Sequence, residues 1–277
     1  MPYKTILVHA DLSPHAAARI RLAAAIALAE DAHLVGAAMT GISRFVYPNN
    51  ASDLARTVIA GHVEALYEHA SQALAQFESV ARSCGVRSFE PRLVADDPEG
   101  GLVQLSRFCD LLVLSQTDPA SNVTGAVRDL PEYVILNVAR PVLLVPYSRE
   151  YADIHGPALI AWDGSHEASR AVSSALPLLM RASPVVVTHF EPEEADQPDP
   201  QSLELLAWLG RFGIKATLLV RPGGIDHGNA LLALATERKA GLVVMGGYGH
   251  TRFRELFLGG VTHTMLRRMT MPVLMSH

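Results

Sequence analysis

Two stretches decide how this chain reads: Tyr3-Lys4-Thr5-Ile6-Leu7-Val8-His9-Ala10-Asp11 and Pro157-Ala158-Leu159-Ile160-Ala161-Trp162-Asp163. Each is a short apolar run that ends on an aspartate, the pattern of a strand buried on both faces of a parallel sheet. A helix is expected after each. Ser13-Pro14 opens an alanine-rich stretch from Ala16 to Ala29, with Ser13 as cap and Pro14 at a first helical position. Ser165 starts a helix carrying Ala168, Ala171, Val172 and Leu176.

Working outward, the two series run in the same order. The first predicts strands at 33–39, 89–94, 111–114 and 141–145, a long amphipathic helix from about 51 to 83, a helix at 101–108 and a short helix before the last strand. The second predicts strands at 185–190, 214–220, 242–245 and 272–275, with helices at about 229–239 and 261–269. Both close on Pro-Val-Leu, at Pro141-Val142-Leu143 and Pro272-Val273-Leu274. Strands alternating with helices imply right-handed βαβ units. The fold class is therefore α/β, as two tandem five-stranded parallel-sheet domains at residues 1–147 and 156–277, with a polar boundary from Ser148 to His155. The acidic, proline-rich run from Pro192 to Pro200 reads as a solvated loop inside the second unit.

Composition agrees with this reading and excludes others. The 277 residues are 49% hydrophobic and 18% charged, with a formal charge of −5, which excludes a disordered chain. Mild acidity argues against nucleic acid as a partner, because phosphate affinity needs clustered Lys and Arg. No apolar run approaches the roughly 20 residues of a membrane span, and the N-terminus lacks a signal core. Two cysteines, Cys84 and Cys109, make no disulfide framework, so a reducing cytoplasm is expected. The sequons at Asn50 and Asn122 then read as chance, and Cys109 as a small buried hydrophobe.

The chemistry concentrates near the C-terminus. Met245-Gly246-Gly247-Tyr248-Gly249-His250 follows a buried strand, and Leu258-Gly259-Gly260-Val261-Thr262 leads into the last helix. Glycines let backbone N–H groups approach an anion closely, and a helix N-terminus adds unpaired donors. Two clusters flanking one loop, His250 to Phe257 with Arg252 and Arg254, suit a polyphosphate. No Lys-Ser or Lys-Thr follows the glycines, so this is not a Walker A loop, and a dinucleotide fingerprint belongs after the first strand. In an open α/β sheet the strand ending at Asp163 should lie across a crevice from Gly246. Asp163 also suits a helix cap or turn, and both roles can coexist. Ala161, His189 and Phe190 fall at the same sheet edge, although Phe190 equally suits the core.

These residues resemble the universal stress protein family, in two copies covering nearly the whole chain. Gly246, Gly249 and Gly259 match that family's nucleotide-binding spacing of Gly, two residues, Gly, nine residues, Gly, then Ser or Thr. Gly260 stands where the hydroxyl is usual, which removes one phosphate or metal contact and keeps the backbone N–H. The resemblance implies a Rossmann-like fold related to the adenine nucleotide alpha hydrolases, with ATP or ADP bound in the C-terminal domain, with or without Mg²⁺. It implies that Asp163 faces the adenine or ribose, within a site of Ala161, Asp163, Phe190, Met245, Gly246, Gly249, His250, Gly259, Gly260, Val261 and Thr262. It also implies that the fifth strands meet in an intramolecular domain pair; homodimerisation stays open.

The first copy lacks the glycines. It reads Ser115-Gln116-Thr117-Asp118-Pro119 after its fourth strand and Arg128-Asp129-Leu130-Pro131 before its last helix, where Asp129 would repel a phosphate. Asp11 alone reads as a cap. Twelve histidines show no zinc-finger or H-E-x-x-H spacing, so no metal site is expected. His62 and His69 read as a solvated helix face, His227 and His250 lie near the pocket, and Ser165-His166-Glu167 lacks triad geometry. The stripe Val58, Val63, Leu66, Ala70, Leu74 and Phe77 reads as the face covering the sheet. The leading expectation is a cytoplasmic stress-response regulator or nucleotide-dependent interaction module with an unidentified protein partner. The alternatives are a slow ATPase or phosphoryl-transfer enzyme, and a scaffold without nucleotide; no catalytic residue is assigned.

Overall fold

The computed structural model describes residues 2–41, 53–120, 129–191, 199–222, 226–249 and 260–277. The first half runs β1 (Thr5–His9), α1 (Ala16–Glu30), β2 (His33–Met39), α2 (Asp53–Ser83), β3 (Phe89–Val94), α3 (Pro98–Ser106), β4 (Leu111–Ser115), α4 (Leu130–Asn137) and β5 (Val142–Val145). The second runs β6 (Ala158–Ala161), α5 (His166–Leu179), β7 (Val185–Glu191), α6 (Pro200–Gly210), β8 (Ala216–Pro222), α7 (His227–Glu237), β9 (Leu242–Gly246), α8 (Val261–Arg268) and β10 (Val273–Ser276). Among the described residues no helix is long and apolar enough to cross a membrane.

The strands form one sheet, in the order β3-β2-β1-β4-β5-β10-β9-β6-β7-β8. As the resemblance implies, the two five-stranded units meet through their fifth strands, which makes one continuous sheet. Every neighbouring pair is parallel except β5 with β10, which are antiparallel with Leu143 opposite Leu274. Pairing these strands removes two sheet edges that would otherwise expose unpaired backbone groups. Alternation along the strands then builds a core on each face. On one face Leu143 and Leu274 pack with Ile20, Phe77, Leu176 and Leu205 from α1, α2, α5 and α6. On the other, Leu144, Val273 and Met275 pack with Leu102, Val134, Leu231 and Met265 from α3, α4, α7 and α8. Side chains also tie the halves together. Tyr3 donates to the Ser174 carbonyl at 2.7 Å, and Tyr151 donates to that of Thr270 at 2.6 Å. Arg181 lies 3.0 Å from Glu30.

Local chemistry moves several element boundaries. Helix α1 does not use Ser13 as its cap. The Ser13 N–H and hydroxyl both donate to Asp11 Oδ1, at 3.1 and 2.6 Å, and the helix starts at Ala16. Helix α3 starts at Pro98 and not at Gly101, because Asp97 accepts from the Gly100 N–H at 2.6 Å and caps it. Helix α6 was not expected. The acidic, proline-rich run ends in Asp199-Pro200, which starts a helix, with Asp199 accepting from Ser202 N–H at 3.1 Å. Helix α2 buries Ala70 and Phe77 of the expected stripe against the sheet. The Val58 side chain and both sequons lie outside the described residues.

Leu274 is fully buried in the central antiparallel pair. Leu274→Ala is expected to lower the unfolding free energy by about 2–5 kcal/mol, read as a lower denaturant midpoint with an unchanged slope.

Candidate functional site

A cavity of about 350 Å³ opens at the C-terminal ends of β6, β7 and β9. Strands β6 and β9 are neighbours, and the chain leaves them toward opposite faces. Helix α5 covers one face and α8 the other, so a crevice opens between them. Eight of the residues singled out from sequence line it: Ala161, Asp163, Phe190, Met245, Gly246, Gly249, Val261 and Thr262. His189 and His227 also line it, and Trp162, Ser165, Leu231 and Tyr248 complete the wall. Gly260 does not line the cavity; it is the N-cap of α8. His250, Gly259 and the segment with Arg252 and Arg254 lie outside the described residues.

The turn after β6 is built by its own side chains. Asp163 Oδ1 accepts from the Ser165 N–H at 3.0 Å, and Ser165 Oγ accepts from the Ala168 N–H at 3.1 Å, capping α5. Asp163 therefore closes a turn and lines the cavity, while the cap is Ser165. The first turn of α5 presses on the end of β9. A methyl group at Gly246 would lie 2.7 Å from the Ala168 nitrogen, so only glycine allows this approach. Beyond it, the Gly247 N–H donates to the Ser276 carbonyl at 2.9 Å. Tyr248 adopts φ +58 and its N–H donates to Thr262 Oγ1 at 3.1 Å. The buried Thr262 hydroxyl thus ties the glycine turn to the start of α8. The N-cap of α8, Gly260, has no side chain to bond the first turn, and the first N–H groups of a helix have no partner within it. At the other end of the cavity the Phe190 and His227 rings stack, with centroids 5.3 Å apart and planes 12° apart. His189 Nδ1 lies 2.9 Å from the Trp162 carbonyl, which fixes that ring.

The equivalent crevice of the first half is only about 100 Å³. Arg19, 2% exposed, fills it. Its Nε donates to the His9 carbonyl at 2.8 Å, one terminal nitrogen donates to Ser115 Oγ at 2.7 Å, and the other lies 3.0 Å from Asp11 Oδ1. His15 Nε2 meets Asp118 Oδ2 at 2.9 Å beside it. Asp11 is thus half of an ion pair and not a helix cap. Burial alone would raise its pKa, but Arg19, His9 and the Ser13 hydrogen bonds hold it well below the usual carboxylate range. Burial lowers His9 to about 4 despite the nearby Asp11. Asp129 takes the N-cap position of α4 without a side-chain cap bond. Elsewhere, burial pushes the Cys109 thiol up to about 12, which leaves it unreactive at neutral pH. Among the described residues no group of three or more His, Cys, Asp or Glu is placed to hold a metal ion.

Residues 214–277 match the family model described as the universal stress protein family. That stretch of the chain is similar to universal stress proteins. The matched stretch includes the glycine turn and the start of α8, both of which line the cavity described above. Universal stress protein Slr1230 of Synechocystis sp. is 23% identical over 220 residues, covering 77% of this chain and 74% of the relative. Two solved structures are similar over 98% of the chain. A universal stress protein from Archaeoglobus fulgidus aligns at 16% identity and TM-score 0.70 over 94% of its own length. A functionally unknown protein, PA1789 of Pseudomonas aeruginosa, aligns at 15% identity and TM-score 0.56 over 92% of its length. At such identities the two structures speak for the fold, which is α/β with a mostly parallel sheet.

His9 supplies a pH signature for the closed crevice. Between its ordinary value of 6.5 and its folded value of about 4, the unfolded chain binds a proton that the folded chain refuses. Stability is therefore fully present above pH 6.5 and is lost as pH falls through that window, by roughly 3 kcal/mol. Denaturant titrations from pH 7 to pH 4 should show this slope, and a His9→Asn variant should lack it.

Proposed function

We propose that the second half binds one adenine nucleotide in the 350 Å³ cavity, whereas the first half binds none. The observation that carries this reading is the convergence on one cavity of three features: the Gly246–Gly249 turn, the uncapped N-terminus of α8 and the Asp163 carboxylate. The first two are donors for phosphate, and a carboxylate beside them accepts from a ribose hydroxyl or an adenine amine. The base lies toward the Phe190 and His227 end, where aromatic faces can stack against it. Ala161, Met245, Val261 and Thr262 supply the walls, and Gly260, His250 and Gly259 belong to the same site in this reading. ATP or ADP is the ligand, with or without Mg²⁺.

The domains in this reading are residues 1–147 and 156–277, joined as an intramolecular pair through β5 and β10. We assign no catalytic residue. The protein acts in the cytoplasm as a stress-response regulator or interaction module, in which nucleotide occupancy alters a surface offered to a protein partner. The guanidinium of Arg19 in the first crevice favours a supporting role for that half.

Calorimetric titration with ATP and with ADP, each with and without Mg²⁺, tests the reading. One site per chain is expected. Gly246→Val, which drives a side chain into the Ala168 backbone, should weaken binding at least about tenfold, or ~1.4 kcal/mol. Absence of binding heat for ATP and ADP under both conditions, and for AMP and adenosine as well, rejects the proposal.

A further inference from the structure

The first half shows what the same positions do when no ligand site is present. Asp11-Leu12-Ser13 aligns with Asp163-Gly164-Ser165, so His15 stands where Glu167 does. Leu111 to Ser115 aligns with Leu242 to Gly246, so Asp118 stands where Gly249 does. In the first half these two positions meet as the His15–Asp118 pair, 2.9 Å apart, across the mouth of the crevice. In the second they also meet. A methyl group at Gly249 would lie 3.0 Å from Glu167 Oε2. There, however, the helix side brings an acid and the turn brings only backbone.

Glu167 is held in place. Its side chain is 17% exposed, and its other oxygen, Oε1, lies 3.2 Å from the exposed Arg170 guanidinium. Arg170 is itself 57% exposed, so its screened charge neutralises little of that felt on the crevice side. A carboxylate oxygen thus faces the turn to which the nucleotide reading assigns the phosphates. Like charges a few ångströms apart in a partly desolvated crevice repel, and the repulsion grows with each phosphate added.

We propose that Glu167 makes this site select against phosphate charge, so that it takes an adenine nucleoside or monophosphate ahead of the di- and triphosphate. The proposal rests on the reading of the cavity as an adenine-nucleotide site and revises the preferred ligand from ATP or ADP to the nucleoside or monophosphate. Glu167 is a specificity-determining residue at the phosphate end, and it leaves recognition of base and ribose to other groups.

The test is calorimetric titration of adenosine, AMP, ADP and ATP at constant ionic strength without divalent cations, on the wild type, Glu167→Gln and Arg170→Ala. The wild type should bind ATP about tenfold more weakly than AMP, and Glu167→Gln should recover about tenfold for ATP while leaving adenosine within about twofold. Arg170→Ala, which strips the carboxylate of its exposed partner, should widen the AMP-to-ATP gap. Adding Mg²⁺ should narrow the gap in the wild type more than in Glu167→Gln. An unchanged AMP-to-ATP ratio in Glu167→Gln overturns the proposal and leaves the nucleotide reading standing. An equal change for adenosine and ATP overturns it in favour of a structural role for Glu167. If none of the four binds the wild type, the nucleotide reading falls and this proposal with it.

Discussion

The antiparallel pairing of β5 with β10 is the constraint on which the rest of the molecule depends. Each half alone would end in a four-residue strand with one row of backbone groups unpaired and two apolar faces to cover. Joined, Leu143 and Leu274 become interior residues of a ten-stranded sheet and are both fully buried. Since every other strand pair is parallel, the two crevices point away from a common centre in opposite directions along the sheet. The halves can then diverge in what fills the crevice without disturbing what joins them, because the joint and the crevices use different residues.

Divergence has taken a definite form. The same backbone path, a strand ending in Asp-x-Ser and a helix packed on the fourth strand, is closed in one half and open in the other. Arg19 replaces the small Ala171, and its guanidinium replaces whatever would otherwise hydrogen-bond the His9 carbonyl, Ser115 and Asp11. Ser115 accepts from Arg19 at the end of β4, whereas Gly246 lets α5 come within contact of the β9 end. A buried guanidinium of this kind is sustained only by several acceptors at once, and Asp11, Ser115 and a backbone carbonyl provide them. An internal side chain thus occupies in the first half the place where the second half has an open cavity.

Much of this was legible in the sequence, for a physical reason. Buried parallel strands are continuous apolar runs, and the two series repeat the same runs in the same order, so sheet membership and the gathering of Asp163 with Gly246 followed from topology. Eight of eleven candidate residues line one cavity, because strand ends and helix starts are where that topology converges. What escaped notice depended on distance across the chain. Arg19 looks like an ordinary helical arginine until α1 turns it inward against His9 and Ser115. Helix α6 was hidden in a proline-rich run whose last two residues, Asp199-Pro200, are a helix start. Ser13 resembled a cap, yet the nearer carboxylate of Asp11 captured both its donors. Tyr248 and Leu231 were missed because an apolar residue beside a glycine turn, or on a helix face, carries no signal of its own.

The two aspartates show why residue type alone underdetermines role. Asp11 and Asp163 end equivalent strands, and each accepts from the serine two residues on, so local sequence gives them the same turn. Their difference comes from eight residues further along, where one chain has Arg19 and the other Ala171. With the guanidinium present, the carboxylate is committed to an internal ion pair and held ionised. With alanine in its place, the carboxylate closes its turn on Ser165 and lines a cavity. A single change on the buried face of a helix therefore decides whether an equivalent acid is locked in an ion pair or lines an open cavity, and the aspartate itself need not change.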